Sequence, residues 1–147
     1  MRSRGEGMYR HILVATDGSE LAERALTTGL TLAKCLGAKV SVVVVEAPFQ
    51  VFDIPASKTQ QNEQTKTHAA SVLNRAADAA KRADVPCEYV QVGHEQPYQA
   101  IIETATGKGC DLIVMASHGR SGLSAKLLGS VTSNVLMHVK IPVLVCR

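Results

Sequence analysis

His11-Ile12-Leu13-Val14-Ala15-Thr16-Asp17-Gly18-Ser19 is a short, mostly apolar run that breaks into a polar turn. The run is too short for a helix and reads as a buried strand, with Thr16 to Ser19 as the turn that follows it. Asp17 stands three residues before Glu20, an Asp version of the capping box, so a helix is predicted to start here. Leu21, Ala25, Thr28, Leu32 and Leu36 then recur at helical spacing, and Gly37 closes the helix. Val40 to Val45 follows as a second strand in which only Ser41 is polar. A strand apolar on both faces suits the middle of a parallel sheet covered by helices on both sides. A strand, a helix and a second strand thus open the chain, and that unit decides the fold.

Working outward, the alternation continues. From Ala47 to Thr67 the periodicity dissolves into Pro, Gln, Ser, Thr and Lys, which predicts a long loop and a candidate lid. Ala69, Val72, Leu73, Ala76, Ala80 and Ala83 give an amphipathic helix from about His68 to Ala83. Glu88 to Gly93 alternates as a strand, and Pro97 starts a helix that carries Ile101, Ile102 and Ala105 and stops near Gly107-Lys108-Gly109. Asp111 to Ala116 is a fourth strand. A helix from about Ser130 to Val139 and a last strand, Pro142 to Cys146, complete the chain. Strands alternating with helices predict an α/β fold: a five-stranded parallel doubly wound sheet, order 3-2-1-4-5, with helices on both faces.

The chain has 147 residues, 46% of them hydrophobic, enough for one domain with a real core. Residues 1–8 read as a flexible N-terminal tail and residues 9–147 as the domain. Sixteen Lys and Arg against 13 Asp and Glu give a net charge of +3, without a basic block interleaved with aromatics, which argues against nucleic-acid binding. No apolar run reaches the roughly 18 residues of a membrane span. Asp17 and Glu20 interrupt what would be the apolar region of a signal peptide. Cys35, Cys87, Cys110 and Cys146 form no C-x-x-C pair and have no His at metal-ligand spacing. They read as small reduced hydrophobes, so a cytoplasmic location and no metal site are expected.

Two loops carry the chemistry, Ala15-Thr16-Asp17-Gly18-Ser19 and Met115-Ala116-Ser117-His118-Gly119, the second leading after nine residues to Gly129-Ser130-Val131-Thr132. Both start at the carboxyl end of a strand, and strands one and four flank the topological switch point where doubly wound sheets bind ligands. The chemistry suits a phosphate. Gly119 and Gly129 let backbone amides approach an anion, and Ser130, Val131 and Thr132 open a helix whose free N–H groups favour negative charge. The Ser130 and Thr132 hydroxyls are expected to add hydrogen bonds. Neither a G-x4-G-K-[S/T] loop nor a G-x-G-x-x-G turn occurs. His118 lacks a nucleophile and an acidic partner and is expected to order its loop. Arg120 and Lys126 read as solvated surface charge.

From about Tyr9 to Arg147 the chain resembles the universal stress proteins. Ile12-Leu13-Val14-Ala15-Thr16-Asp17-Gly18-Ser19, Ser117-His118-Gly119-Arg120, Gly129-Ser130-Val131-Thr132 and Ile141-Pro142-Val143-Leu144-Val145 carry the resemblance. The ATP-binding branch of that family has the pattern G-x2-G-x9-G-[S/T]. Gly119, Gly129 and Ser130 match its second glycine, third glycine and hydroxyl, whereas Ala116 replaces the first glycine. The resemblance implies an adenine nucleotide alpha hydrolase-like fold. It further implies bound ATP, or ADP or AMP, with Mg²⁺. Ala15, Thr16 and Asp17 would line the adenosine side, with the Asp17 carboxylate on the ribose. Val45 would lie beside the adenine, Met115 and Ala116 would flank the nucleotide, and Gly119, Gly129, Ser130, Val131 and Thr132 would hold the phosphates. The S-G-G-x-D-S loop of the related PP-loop ATP pyrophosphatases is missing.

The strand Ile141 to Cys146 lies at the sheet's edge in this order and is apolar, a surface that invites pairing. A two-fold homodimer through this strand closes the edge, as is common in the family. The expected function is therefore an ATP-binding regulatory homodimer of stress response, acting on an unidentified protein partner. The alternatives are a slow ATP hydrolase or phosphotransferase and a nucleotide-free dimer module, the family's other branch.

Overall fold

A computed structural model of the chain describes residues 7–46, 57–119 and 128–147. The elements in order are β1 (His11–Ala15), α1 (Glu20–Leu36), β2 (Lys39–Glu46), α2 (Ser57–Ala83), β3 (Cys87–Gly93), α3 (Pro97–Gly107), β4 (Leu112–Ala116), α4 (Ser130–His138) and β5 (Val143–Cys146). The five strands form one parallel sheet in the order β3-β2-β1-β4-β5, as the alternation of elements predicts.

The period-two alternation of the central strands splits the core into two layers. Ile12, Val14, Val40, Val42, Leu112 and Val114 pack with Ala22, Ala25, Leu26, Leu30 and Ala33 of α1 and Ala76 and Ala80 of α2. Leu13, Ala15, Val43, Ile113 and Met115 face the other way, against Ile101 and Ala105 of α3 and Val135 of α4. β1 and β4 are buried along their whole length, so no residue of either strand can be polar without an internal partner.

The buried face of α1 differs from the expected stripe. Ala22, Ala25, Leu26, Gly29, Leu30 and Ala33 are buried, Leu21 and Leu32 only partly, and Thr28 is exposed. The reason is close approach. A Cβ at Gly29 would stand 2.7 Å from Val14 Cγ2, so the closest approach of α1 to the sheet is made on a small residue, while Leu21 and Leu32 pack at the flanks. The cap also differs. Ser19, not Asp17, is the N-cap, its Oγ accepting from the Ala22 N–H at 3.3 Å.

The largest departure is α2. Residues 57–67, read from sequence as part of a loop, are the first three turns of this helix. Glu63, Gln64, Lys66 and Thr67 are exposed, so the segment carries no apolar period from which a helix could be read. The rest of the predicted loop, residues 47–56, lies outside the described residues, and so does any lid there. So do residues 1–6 of the predicted tail, and Arg120 and Lys126. No helix among the described residues is long and apolar enough to cross a membrane.

Candidate functional site

The carboxyl ends of β1, β2 and β4 surround a cavity of about 250 Å³. Ala15, Thr16 and Asp17 come to it from the end of β1, Val43 and Val45 from β2, and Met115, Ala116, His118 and Gly119 from β4 and its loop. Val131 and Thr132 enter from the first turn of α4, Pro97 and Ile101 from α3, and Ala22 from α1. Strands β1 and β4 are neighbours that lead into helices on opposite faces of the sheet, which opens the crevice between them.

The β1 loop is held at every step. The Thr16 N–H donates to the Val43 carbonyl at 3.1 Å and so continues the ladder past β1. Thr16 Oγ1 accepts from the Gly18 N–H at 3.2 Å, and Asp17 Oδ1 accepts from the Ser19 N–H at 2.9 Å. Gly18 has φ +81, a conformation that L side chains rarely adopt. These bonds turn the Asp17 carboxylate toward the β4 loop, where it takes up the space that a side chain at Gly119 would need.

The β4 loop and the start of α4 are tied together in turn. The Gly129 N–H donates to the Ser117 carbonyl at 2.7 Å, and Thr132 Oγ1 donates to the Ala116 carbonyl at 2.8 Å. A Cβ at Gly129 would stand 3.1 Å from His118 Cα and 3.2 Å from the Ser117 oxygen, so a side chain here would press the two backbones apart by a few tenths of an ångström. His118 Nδ1 lies 3.0 Å from Ser117 Oγ, in keeping with a loop-ordering role. Gly129 caps α4 without a side-chain hydrogen bond, so the first amides of the helix have no intrahelical partner and, among the described residues, no capping side chain.

Nine of the eleven residues singled out from sequence thus line one cavity: Ala15, Thr16, Asp17, Val45, Met115, Ala116, Gly119, Val131 and Thr132. Gly129 and Ser130 do not line it; they form the start of α4. The Thr132 hydroxyl, expected to face a ligand, is instead spent on the Ala116 carbonyl inside the fold, and Thr132 is 2% exposed. Val43, Pro97, Ile101 and Ala22 escaped the sequence reading. For Val43 a signal existed, since it stands two residues before Val45 on the same face of β2. No such signal places α3 over the cavity. Among the described residues no group of three or more His, Cys, Asp or Glu could hold a metal ion.

A family model described as the universal stress protein family matches residues 8–147. The universal stress protein MJ0531 of Methanocaldococcus jannaschii is 30% identical over 145 residues, covering 97% of this chain and 85% of that protein. Among solved structures, universal stress protein UspA from Lactobacillus plantarum superposes with a TM-score of 0.82 at 23% identity, covering 97% of this chain and 100% of that one. A universal stress protein solved in complex with cAMP superposes with a TM-score of 0.73 at 28% identity, covering 95% and 97%. The chain belongs to the universal stress protein family.

Proposed function

We propose that this protein binds an adenine nucleotide in the cavity at the carboxyl ends of β1 and β4, and that it acts as a nucleotide-dependent homodimeric regulator. The observation that carries the reading is the convergence on one cavity of an apolar wall, a carboxylate and an uncapped helix N-terminus. Val43, Val45, Pro97, Ile101 and Met115 form a wall suited to the flat face of a base. Asp17 supplies an acceptor for ribose hydroxyls. The start of α4, with Gly119 beside it, supplies amide donors and a positive dipole end for phosphates. At about 250 Å³ the cavity lies near the lower end of the roughly 300–1,000 Å³ range of small-molecule sites. It therefore takes the nucleoside, and the phosphates lie at its mouth. The relative solved with cAMP supports an adenine ligand.

ATP is the form the G-x2-G-x9-G-[S/T] pattern favours, with Ala116 in place of the first glycine. Mg²⁺ would arrive on the phosphate oxygens of the nucleotide. The homodimer is proposed through β5, which pairs only with β4 and leaves Leu144 39% exposed. Calorimetry of the purified protein with ATP, ADP and AMP, with and without Mg²⁺, tests the reading. Saturable binding of at least one of them is expected, and binding of none would overturn it. Turnover of bound ATP at a steady rate would favour the hydrolase over the regulator.

A further inference from the structure

We propose that His68, on α2, is a positioning residue of the nucleotide site: it holds the peptide between Asp17 and Gly18 and thereby aims the Asp17 carboxylate. The proposal rests on the nucleotide reading above and adds to it a residue from an element of which no described residue lines the cavity.

The geometry is specific. His68 Nε2 lies 3.2 Å from the backbone oxygen of Asp17. A carbonyl only accepts, so the imidazole N–H donates, and the ring is in the tautomer or charge state that carries a proton on Nε2. The face of α2 around this bond is pressed against the loop. A Cβ at Gly18 would stand 2.6 Å from Val72 Cγ2, 3.0 Å from Arg75 Nη2 and 3.5 Å from His68 Nε2. These three residues lie one and two turns apart on the helix, so one face of α2 covers the turn. Arg75 also pairs with Glu23 of α1 at 3.3 Å, which ties the same face to the helix that the loop leads into.

This contact falls on the peptide that precedes Gly18. Thr16 is fixed by its bond to β2 and Ser19 by its cap on α1, so the loop's two ends are rigid. Between them the Asp17–Gly18 peptide is followed by a glycine, which populates both signs of φ with little preference. Rotation of that peptide would carry the Gly18 N–H off Thr16 Oγ1 and loosen the turn that presents the Ser19 N–H to the Asp17 carboxylate. The hydrogen bond from His68 acts on the carbonyl end of that peptide, as the bond from the Gly18 N–H to Thr16 Oγ1 acts on the other end, and both favour the observed orientation. Gly18 gives the turn its freedom, and α2 removes that freedom again.

The readout that separates positioning from general stability is ribose recognition. AMP, 2′-deoxy-AMP and 3′-deoxy-AMP differ only in the hydroxyls that Asp17 is assigned to accept. In the parent protein AMP is expected to bind more tightly than at least one deoxy form, by about tenfold for a hydrogen bond to a charged acceptor. In His68→Ala that preference is expected to fall to within about twofold, while the far-ultraviolet dichroism is kept. His68→Gln, whose amide also donates, is expected to restore most of it. An unchanged preference in His68→Ala overturns the proposal, as does a His68→Gln protein no better than His68→Ala. A parent protein that binds AMP without any ribose preference overturns it too. A parent that binds no nucleotide at all overturns the functional reading itself, and this proposal with it.

Discussion

The Asp17 carboxylate fills the space that a side chain at Gly119 would occupy, so the loops after β1 and β4 interlock through a charge on one and a missing Cβ on the other. Neither residue explains itself alone. Gly119 does not have a positive φ, and its need for glycine comes from Asp17 of the neighbouring β1 loop.

Gly119→Ala is therefore expected to displace the Asp17 carboxylate and break its bond to the Ser19 N–H. Nucleotide affinity should fall by about tenfold or more, as it should in Asp17→Ala, because a hydrogen bond to a charged group contributes roughly 1.5–3 kcal/mol. The double variant should be little worse than either single one, since both remove the same interaction. Calorimetry on the three proteins checks this. Additive losses would mean that the two residues act separately.

A separate tie, from α4 back to the end of β4, is Thr132 Oγ1 to the Ala116 carbonyl, buried at 2.8 Å. Thr132→Val keeps the shape and removes the donor, leaving a buried acceptor unpaired at a cost of about 1–3 kcal/mol. The melting temperature should drop by several degrees, and the start of α4 should lose its fixed place beside β4. Thermal unfolding with and without nucleotide measures both effects, and an unchanged melting temperature would refute the assignment.

How much of this was legible beforehand depended on what kind of contact each residue makes. β1, β2 and β4 are readable because burial on both faces writes a continuous apolar run, and helices between such strands then make the sheet parallel and doubly wound. The first turns of α2 were not, because Glu63, Gln64, Lys66 and Thr67 are exposed and leave no period. The face of α1 was misplaced because Gly29 marks the closest approach to Val14, and small residues do not announce a core. At the site, Asp17, Gly119 and the start of α4 could be found from turn chemistry. That Asp17 meets Gly119, that the Thr132 hydroxyl turns inward and that Ile101 covers the cavity are tertiary facts with no local trace.

The outer face of β5 bears on assembly. Leu144 is 39% exposed there, and Leu136 and Met137 of α4 are 41% and 77% exposed. An open apolar edge is a pairing site. The parent protein is expected to sediment as a dimer at micromolar concentration, and Leu144→Lys as a monomer or as insoluble protein. A monomeric parent would leave these three side chains to be covered in some other way and would exclude the two-fold pairing of β5.

At the opposite pole of the sheet a buried histidine makes stability depend on pH. His11 is 5% exposed, with Nδ1 3.1 Å from the Lys108 carbonyl and Nε2 2.7 Å from Ser41 Oγ. Since the carbonyl only accepts, Nδ1 carries the proton, and Nε2 of the neutral ring accepts from the Ser41 hydroxyl at 2.7 Å in preference to the longer contact of that hydroxyl with Glu88 Oε2 at 3.4 Å. Both partners are thus satisfied without charge. Burial lowers the His11 pKa, and the nearby Lys39 lowers it further, outweighing the Lys108 carbonyl and the Glu88 carboxylate, which favour the charged form. The Asp111 carboxylate also lies close, accepting from the His11 backbone N–H at 3.1 Å, and Lys108 pairs with Glu88 at 2.9 Å. The unfolded chain takes up the proton first, near the ordinary pKa of about 6.5, while the folded chain resists it. Stability is then complete above about pH 6.5 and declines as pH falls through that value toward the folded pKa. Glu88, held below the usual carboxylate range by Lys108, contributes to a separate loss at more acid pH. Denaturant unfolding at intervals from pH 7.5 to 5 should therefore show stability decreasing with acidity in the parent, and a flatter profile in His11→Gln. The slope is the test rather than the absolute stability, because the variant also alters the bond to Ser41. Parallel profiles for the two proteins would show that His11 does not carry the pH dependence.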